Sequence, residues 1–235
     1  MKNIIRNTCL LLAVGMAITS CKKFEDINVN PIAANSDQVQ AEYFLNGSII
    51  GAQQDPDVAE RSFVLYWKTA AHQQEDEGLS SGSYNDGWSG AYYNQVSGWL
   101  NQANTAIQIG EEHVAKGIQK PYTNNTIQAA RIWRAYLLSE MSDVFGPIPV
   151  SAFKGVSPDF KEVKEVYYFA LSELADASSK IDLQVSRTDD LKKLDPAYEY
   201  DYTKWVKFAN SMRMRLAMRL SEVDPAKAKS EFEAA

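Results

Sequence analysis

Between Trp67 and Trp88 the chain places two indoles, a phenol and several planar polar groups within a short stretch: Trp67, Gln73, Gln74, Glu75, Asp76, Tyr84, Asn85, Asp86 and Trp88. An apolar ring face flanked by amides and carboxylates can hold a molecule with flat CH faces ringed by hydroxyls, which describes a sugar. Trp67, Gln73, Gln74, Tyr84, Asn85 and Trp88 are the candidate ligand-binding residues. Each has a plainer reading. The two Trp rings could cap the core of the flanking helices, and Asn85-Asp86-Gly87 is an ordinary turn sequence.

Other chemistries find less in the chain. A glycosidase needs two carboxylates at a fixed separation, and Glu75, Asp76 and Glu77 could supply them, although an acidic loop is ordinarily just solvated. His72 and His113 are the only histidines, they have no H-x-x-x-H spacing, and no cysteine stands near them, so no zinc site is expected. No G-x-S-x-G, P-loop or dinucleotide fingerprint is present. We expect no catalytic residue, no metal and no cofactor. Arg213, Arg215 and Arg219 could meet an anionic ligand, but a solvated face or pairing with the acidic loop Asp189–Asp201 is the simpler expectation.

The remaining chemically distinctive residue is Cys21. Lys2 and Arg6 precede an apolar run of eleven residues, Cys9–Thr19. That run is too short to span a bilayer, which takes about 20 residues, and reads as an export signal. It ends Ile18-Thr19-Ser20-Cys21, which resembles the bacterial lipobox, where the cysteine thiol takes a diacylglycerol and becomes the first residue. Two acyl chains give stable anchoring where one does not. Residues 1–20 are thus a signal peptide, 21–36 a lipidated tether rich in Asn, Pro and Ser, and 37–235 a folded domain. Removing residues 1–20 takes away two basic residues and no acid. It leaves 22 basic against 30 acidic residues, a net charge of −8, which excludes a nucleic-acid partner. With Cys9 discarded and Cys21 lipidated, no disulfide can form within the chain, so packing must supply stability.

The elements that must position these residues are helices. Asp37–Gln40 could be a capping box opening a helix to about Gln53. A second helix is expected over Val58–Gln73, with Val58, Phe63, Tyr66, Trp67 and Ala70 on its buried face. A long one spans Trp88–Lys116 on the stripe Trp88, Tyr92, Val96, Trp99, Ala103, Ala106, Ile107. The next carries Ile127, Ala130, Trp133, Leu137, Met141 and Val144, closed by Gly146 with Pro147 beyond it. Ser157-Pro158 should open a helix striped by Val163, Val166, Ala170, Leu174, Ala177 and Ile181. Trp205, Phe208, Met212, Leu216, Leu220 and Val223 stripe another, and Asp224-Pro225 starts a last one. That last helix shows no stop signal, so we expect the N-terminal part of a longer protein. The fold class is all-α, built of tetratricopeptide-like antiparallel helix pairs with irregular loops.

Three segments carry a family resemblance. ARIWRAYLLSEMSDVFGPIPV, EVYYFALSELADA and WVKFANSMRMRLAMRLSEVDP resemble, in order and spacing, segments of the SusD/RagB family of outer-membrane lipoproteins, and the lipobox and the arm ending NVNP match the family's start, most closely its RagB-like branch. The resemblance implies a surface-exposed protein of the outer membrane, lipid-anchored through Cys21. It implies binding of a nutrient, usually an oligosaccharide and sometimes a peptide. It also implies a partner, a TonB-dependent SusC-like transporter on which the protein acts as a lid, and no enzymatic activity. Family members are about twice as long, so any site named here is partial. A helical-repeat adaptor that binds only protein or peptide partners is the alternative, and a lipoprotein glycosidase a third.

Overall fold

The computed structural model describes residues 36–53, 56–60, 67–73, 86–150 and 159–235, with the side chains of Asp57, Ala70, Asp86 and Trp88 excepted. Residues 39–235 form one compact unit. The lipobox and Cys21 lie outside the described residues, as do Ser157 and Pro158.

The fold is all-α and tetratricopeptide-like. In chain order the helices are α1 (Ala41–Gly51), α2 (Pro56–Ala59), α3 (Lys68–Ala70), α4 (Asp86–Lys116), α5 (Thr123–Phe145), α6 (Val163–Lys180), α7 (Asp189–Lys192), α8 (Tyr202–Arg219) and α9 (Pro225–Ala234). Between α5 and α6, two short strands pair antiparallel: β1 (Ile148–Pro149) and β2 (Phe160–Lys161), with Ile148 opposite Lys161. The six longer helices stack in order, each antiparallel to the one before. Gly110 in α4 faces both Ala41 and Ile127, while Gly51 faces Trp99, so α1 and α4 run in opposite senses. Arg134 reaches Asn104 across α4–α5, Glu173 meets Arg131 across α5–α6, and Arg213 meets Glu231 across α8–α9.

Contacts between alternate helices make this a superhelix and not a sheet of hairpins. α5 touches α1 on one side and α8 on the other, in addition to its sequence neighbours α4 and α6. Thus α1, α5 and α8 are the inner helices of three pairs, and α4, α6 and α9 the outer ones, the arrangement of stacked helix-pair repeats.

Most of the periodic stripes become the core, although Val144 and Val163, expected on them, are exposed. On α6, Val166, Ala170, Leu174 and Ala177 are buried, followed by Ile181 just past its end. On α8, Trp205, Met212 and Leu216 are buried, Phe208 is half-buried, and Val223, past the helix end, is 78 % exposed. Gly146 ends α5 with φ 77° and ψ −127°, a backbone conformation open essentially to glycine alone.

Two expectations about boundaries need correction. Asp37–Gln40 does not open α1: residues 36–38 form a turn, and the helix begins at Ala41 with no side-chain cap on Gln40. α6 begins at Val163 and not at Pro158, because β2 precedes it. Its cap is Glu162, whose side chain accepts from the Glu165 N–H while Glu165 Oε2 accepts from the Glu162 N–H at 3.0 Å. The helix expected over Val58–Gln73 is seen only at its ends, as α2 and α3. Residues 61–66, with Phe63 and Tyr66, lie outside the described residues, and His72 closes the segment at φ 56°.

Candidate functional site

The N-terminus of α4, the C-terminus of α5 and the β1–β2 pair come together at one end of the helix stack, and aromatic side chains collect there. Trp67 meets Tyr92 edge-on, with ring centroids 4.7 Å apart. Tyr92 stacks on Phe145 at 6.0 Å, and Tyr93 meets the same ring edge-on at 5.1 Å. Such geometries match the aromatic quadrupole and add about 0.5–1.5 kcal/mol per pair beyond burial. Burial pushes the Tyr92 hydroxyl well above the ordinary phenol range, and the charge on Glu140 adds to it. It is a neutral hydroxyl at any physiological pH.

Of the six sequence-predicted ligand residues, two have described side chains. Trp67 is half-buried and packs on Tyr92, so it serves the core with one part of its ring. Gln73 is exposed, with its backbone N–H donating to the Lys68 carbonyl at 2.8 Å. Gln74, Tyr84 and Asn85 lie outside the described residues. Trp88 is placed in the first turn of α4 by its backbone alone.

A second feature escaped the sequence reading. On the inner face of the stack, Ile49, Ala52, Gln53, Trp133, Tyr136, Pro196 and Ala197 enclose a hollow of about 190 Å³. Trp133 and Tyr136 are one turn apart on α5 with centroids 5.0 Å apart. Trp133 anchors itself by donating from Nε1 to Ser48 Oγ at 3.0 Å, and that hydroxyl donates to the Trp99 carbonyl at 2.8 Å. The far wall is held by Asp195, which is fully buried. Its carboxylate accepts from the N–H groups of Ala197, Tyr198 and Tyr200 at 2.9, 3.1 and 2.8 Å, and from Trp205 Nε1 at 2.7 Å. Four donors offset the cost of burying the carboxylate. They also fold residues 196–200 into a turn that ends with Glu199 and Tyr200 at φ 54° and 52°. The available signal was the pair of aromatics at i and i+3 on one helix; the acid 62 residues further on gave none.

The arginines of α8 do not pair with the Asp189–Asp201 loop, contrary to one of the expectations. Arg213 donates to Glu231 Oε2 at 2.8 Å and to the Ala234 carbonyl at 3.2 Å. Arg215 reaches Glu140 at 3.3 Å, and Arg219 pairs with Asp143. The helix brings these cations to α5 and α9, while Asp189 and Asp190 are met locally by Lys192 and Lys193.

Among the described residues, no His, Cys, Asp or Glu side chains group as metal ligands, and no helix is long and apolar enough to cross a membrane.

A family model described as "Starch-binding associating with outer membrane" matches residues 35–235. The chain belongs to the SusD-like family. A SusD homologue from Parabacteroides distasonis superimposes with a TM-score of 0.72 at 28 % identity, over 83 % of this chain and 38 % of that one. A chitin-binding protein (TM-score 0.67, 22 % identity, 85 % and 42 % covered) and a SusD-like protein from Bacteroides thetaiotaomicron (0.66, 15 %, 83 % and 41 %) are similar in fold. The chain spans about two fifths of the length of these SusD-like relatives. A search of curated proteins finds no match.

Proposed function

We propose that this SusD-like chain is part of a cell-surface lipoprotein that binds an oligosaccharide or polysaccharide. It delivers the glycan to a TonB-dependent SusC-like transporter of the outer membrane and acts as its lid. The observation that carries this reading is the family match over residues 35–235. The lipobox supports the anchor: acylated Cys21 and the tether to residue 36 keep the domain at the membrane, facing the exterior beside the transporter mouth. The cluster of Trp67, Tyr92, Tyr93 and Phe145 supports a ligand face. These rings pack together at the end of the stack where Gln73 is exposed. No bond is made or broken; the work is binding and closure.

The test is affinity electrophoresis of the lipid-free mature protein, in its complete reading frame, against a panel that includes starch and chitin oligosaccharides. A Tyr84→Ala, Trp88→Ala variant runs beside it. Retardation by one glycan, lost in the variant, is the expected result. Retardation kept in the variant moves the site away from the Gln73–Gly87 region. No retardation by any glycan, with a barrel still copurifying, overturns glycan binding and favours an adaptor for protein or peptide partners.

A further inference from the structure

Glu42 is the second residue of α1 and is almost fully buried. A carboxylate in such a place needs donors. Its Oε1 accepts from Lys120 Nζ at 2.8 Å and from the Tyr122 hydroxyl at 3.0 Å, both supplied by the segment that joins α4 to α5. Lys120 also lies over the Tyr122 ring, 5.4 Å from its centroid, so the two donors brace each other. The segment is itself fixed. The Lys120 N–H donates to Thr123 Oγ1 at 2.9 Å, and the Thr123 N–H donates to the Lys120 carbonyl at 3.0 Å. Glu42 stands in the first turn of α1, where the helix dipole favours a negative charge.

Further along α1 the ties to other elements are between neutral groups. Asn46 Nδ2 donates to the Leu194 carbonyl at 3.1 Å, and Ser48 Oγ joins Trp133 to the Trp99 carbonyl. Between these ties Leu45 and Ile49 are buried in the core. Charge-assisted hydrogen bonds are about twice as strong as neutral ones. The strongest tie of α1 therefore sits at the end where the chain enters the compact unit, three positions after Val39. A helix pulled at one end and held along its side yields by peeling from that end, and the tie nearest the pull carries most of the force.

We propose that Glu42, with Lys120 and Tyr122, is a mechanical latch that keeps α1 docked against the pull of the N-terminal tether. The inference rests on the reading of Cys21 as the lipid anchor, because an anchored chain carries a pull at residue 39 whenever the domain swings away from the membrane. The latch holds Leu45 and Ile49 in the core and keeps Ser48 under Trp133, so the inner face retains its shape while the domain moves. The two charges divide the work. The Glu42 side chain is 4 % exposed and shielded from competing water, whereas Lys120, at 40 %, reaches it from the surface and can be changed without opening the core.

The test is single-molecule pulling at constant force on the unlipidated mature protein in its complete reading frame. One handle is the Cys21 thiol, the only cysteine in residues 21–235, and the other is the C-terminus. Lys120→Met should shorten the lifetime before the first yield about tenfold, and Glu42→Gln should act in the same direction. In a second geometry, Cys21→Ser with Lys193→Cys moves the handle to an exposed side chain just past α7, so the force bypasses α1. There Lys120→Met should leave the lifetime unchanged. Equal shortening from both handles marks an ordinary contribution to stability and overturns the proposal, as does no shortening from Cys21. Mass spectrometry of the N-terminal peptide from membrane-extracted protein tests the anchor separately. An unacylated Cys21 removes the pull on α1 and overturns the latch, whatever the pulling shows.

Discussion

The same two helices, α4 and α5, build two cores of different character. Where the second half of α4 lies on the first half of α5, the contact is made of small residues. Ala103, Ala106, Ala129, Ala130 and Ala135 are fully buried there, and Gly110 faces Ile127. Where the first half of α4 lies on the second half of α5, the contact uses Tyr92, Trp99, Leu137, Leu138 and Met141, rimmed by Trp67, Tyr93, Trp133, Tyr136 and Phe145. Small side chains let helix axes approach and bring in α6 and α8 as further layers. Large rings fill space where the regular layers run out and, among the described residues, the short elements α2, α3 and β1 close the end. The first core holds the stack together; the second closes its end with rings, of which Tyr92 and Trp99 are buried and Trp67, Tyr93 and Phe145 partly buried.

Breaking the first core should cost most. Trp205→Ala removes a fully buried ring and one of the four donors to the Asp195 carboxylate, and should destabilise by about 3–5 kcal/mol in urea unfolding. A loss under about 1 kcal/mol would show that this core is not the principal one. Gly110→Ala comes next. Its new Cβ would lie 2.5 Å from Ile127 Cγ1, closer than atoms tolerate, for a cost of about 3 kcal/mol. In an Ile127→Ala background most of that cost should vanish, and additivity of the two changes would refute the close approach.

The seam between α5 and α6 gives a smaller, pH-dependent effect. Glu173 receives Arg131 at 2.6 Å and also pairs with Arg134. Burial by itself would raise its pKa, but the hydrogen bond from Arg131 and the charge of Arg134 outweigh it and hold the carboxyl below the ordinary Glu range. A folded-state value below the unfolded one means stability that is complete above about pH 4.3 and is lost as pH falls through the lower folded value. Glu173→Gln should cost about 2 kcal/mol at pH 7. The gap between the two proteins should close in acid unfolding curves below pH 4.3, and a gap constant with pH would contradict the assignment. The smallest stability effect should be Trp67→Ala, at about 1 kcal/mol, because the ring is only partly buried and packs at the edge of its cluster. Glycan retardation should nevertheless be lost in it. A large stability loss with binding retained would make the second core structural like the first.

Strong periodic segments were legible from the chain. The α6 stripe, expected from Val163 to Ile181 and buried from Val166 onward, and the Gly146 stop follow from the helical repeat and from one residue type's conformational range. Starts were less legible. Glu162 caps α6 because β2, a pairing with residues eleven or more positions back, decides where the helix can begin. Partners across helices were not legible either. Arg213, Arg215 and Arg219 recur on α8, yet Glu231, Glu140 and Asp143 reach them only after α9 and α5 have docked. The six candidate ligand residues came from composition alone. Composition identifies what a loop can bind but not which rings are taken by packing, as Trp67 is by Tyr92.

By itself, then, the sequence determined the helical class, the buried stripes and the family, because these depend on residue type at fixed local spacing. The tertiary structure decided which helices are inner and outer, where Trp133 and Tyr136 meet the turn held by Asp195, and which charges gather around Tyr168. Those outcomes depend on contacts between residues tens of positions apart, and such contacts leave no periodic trace in the chain.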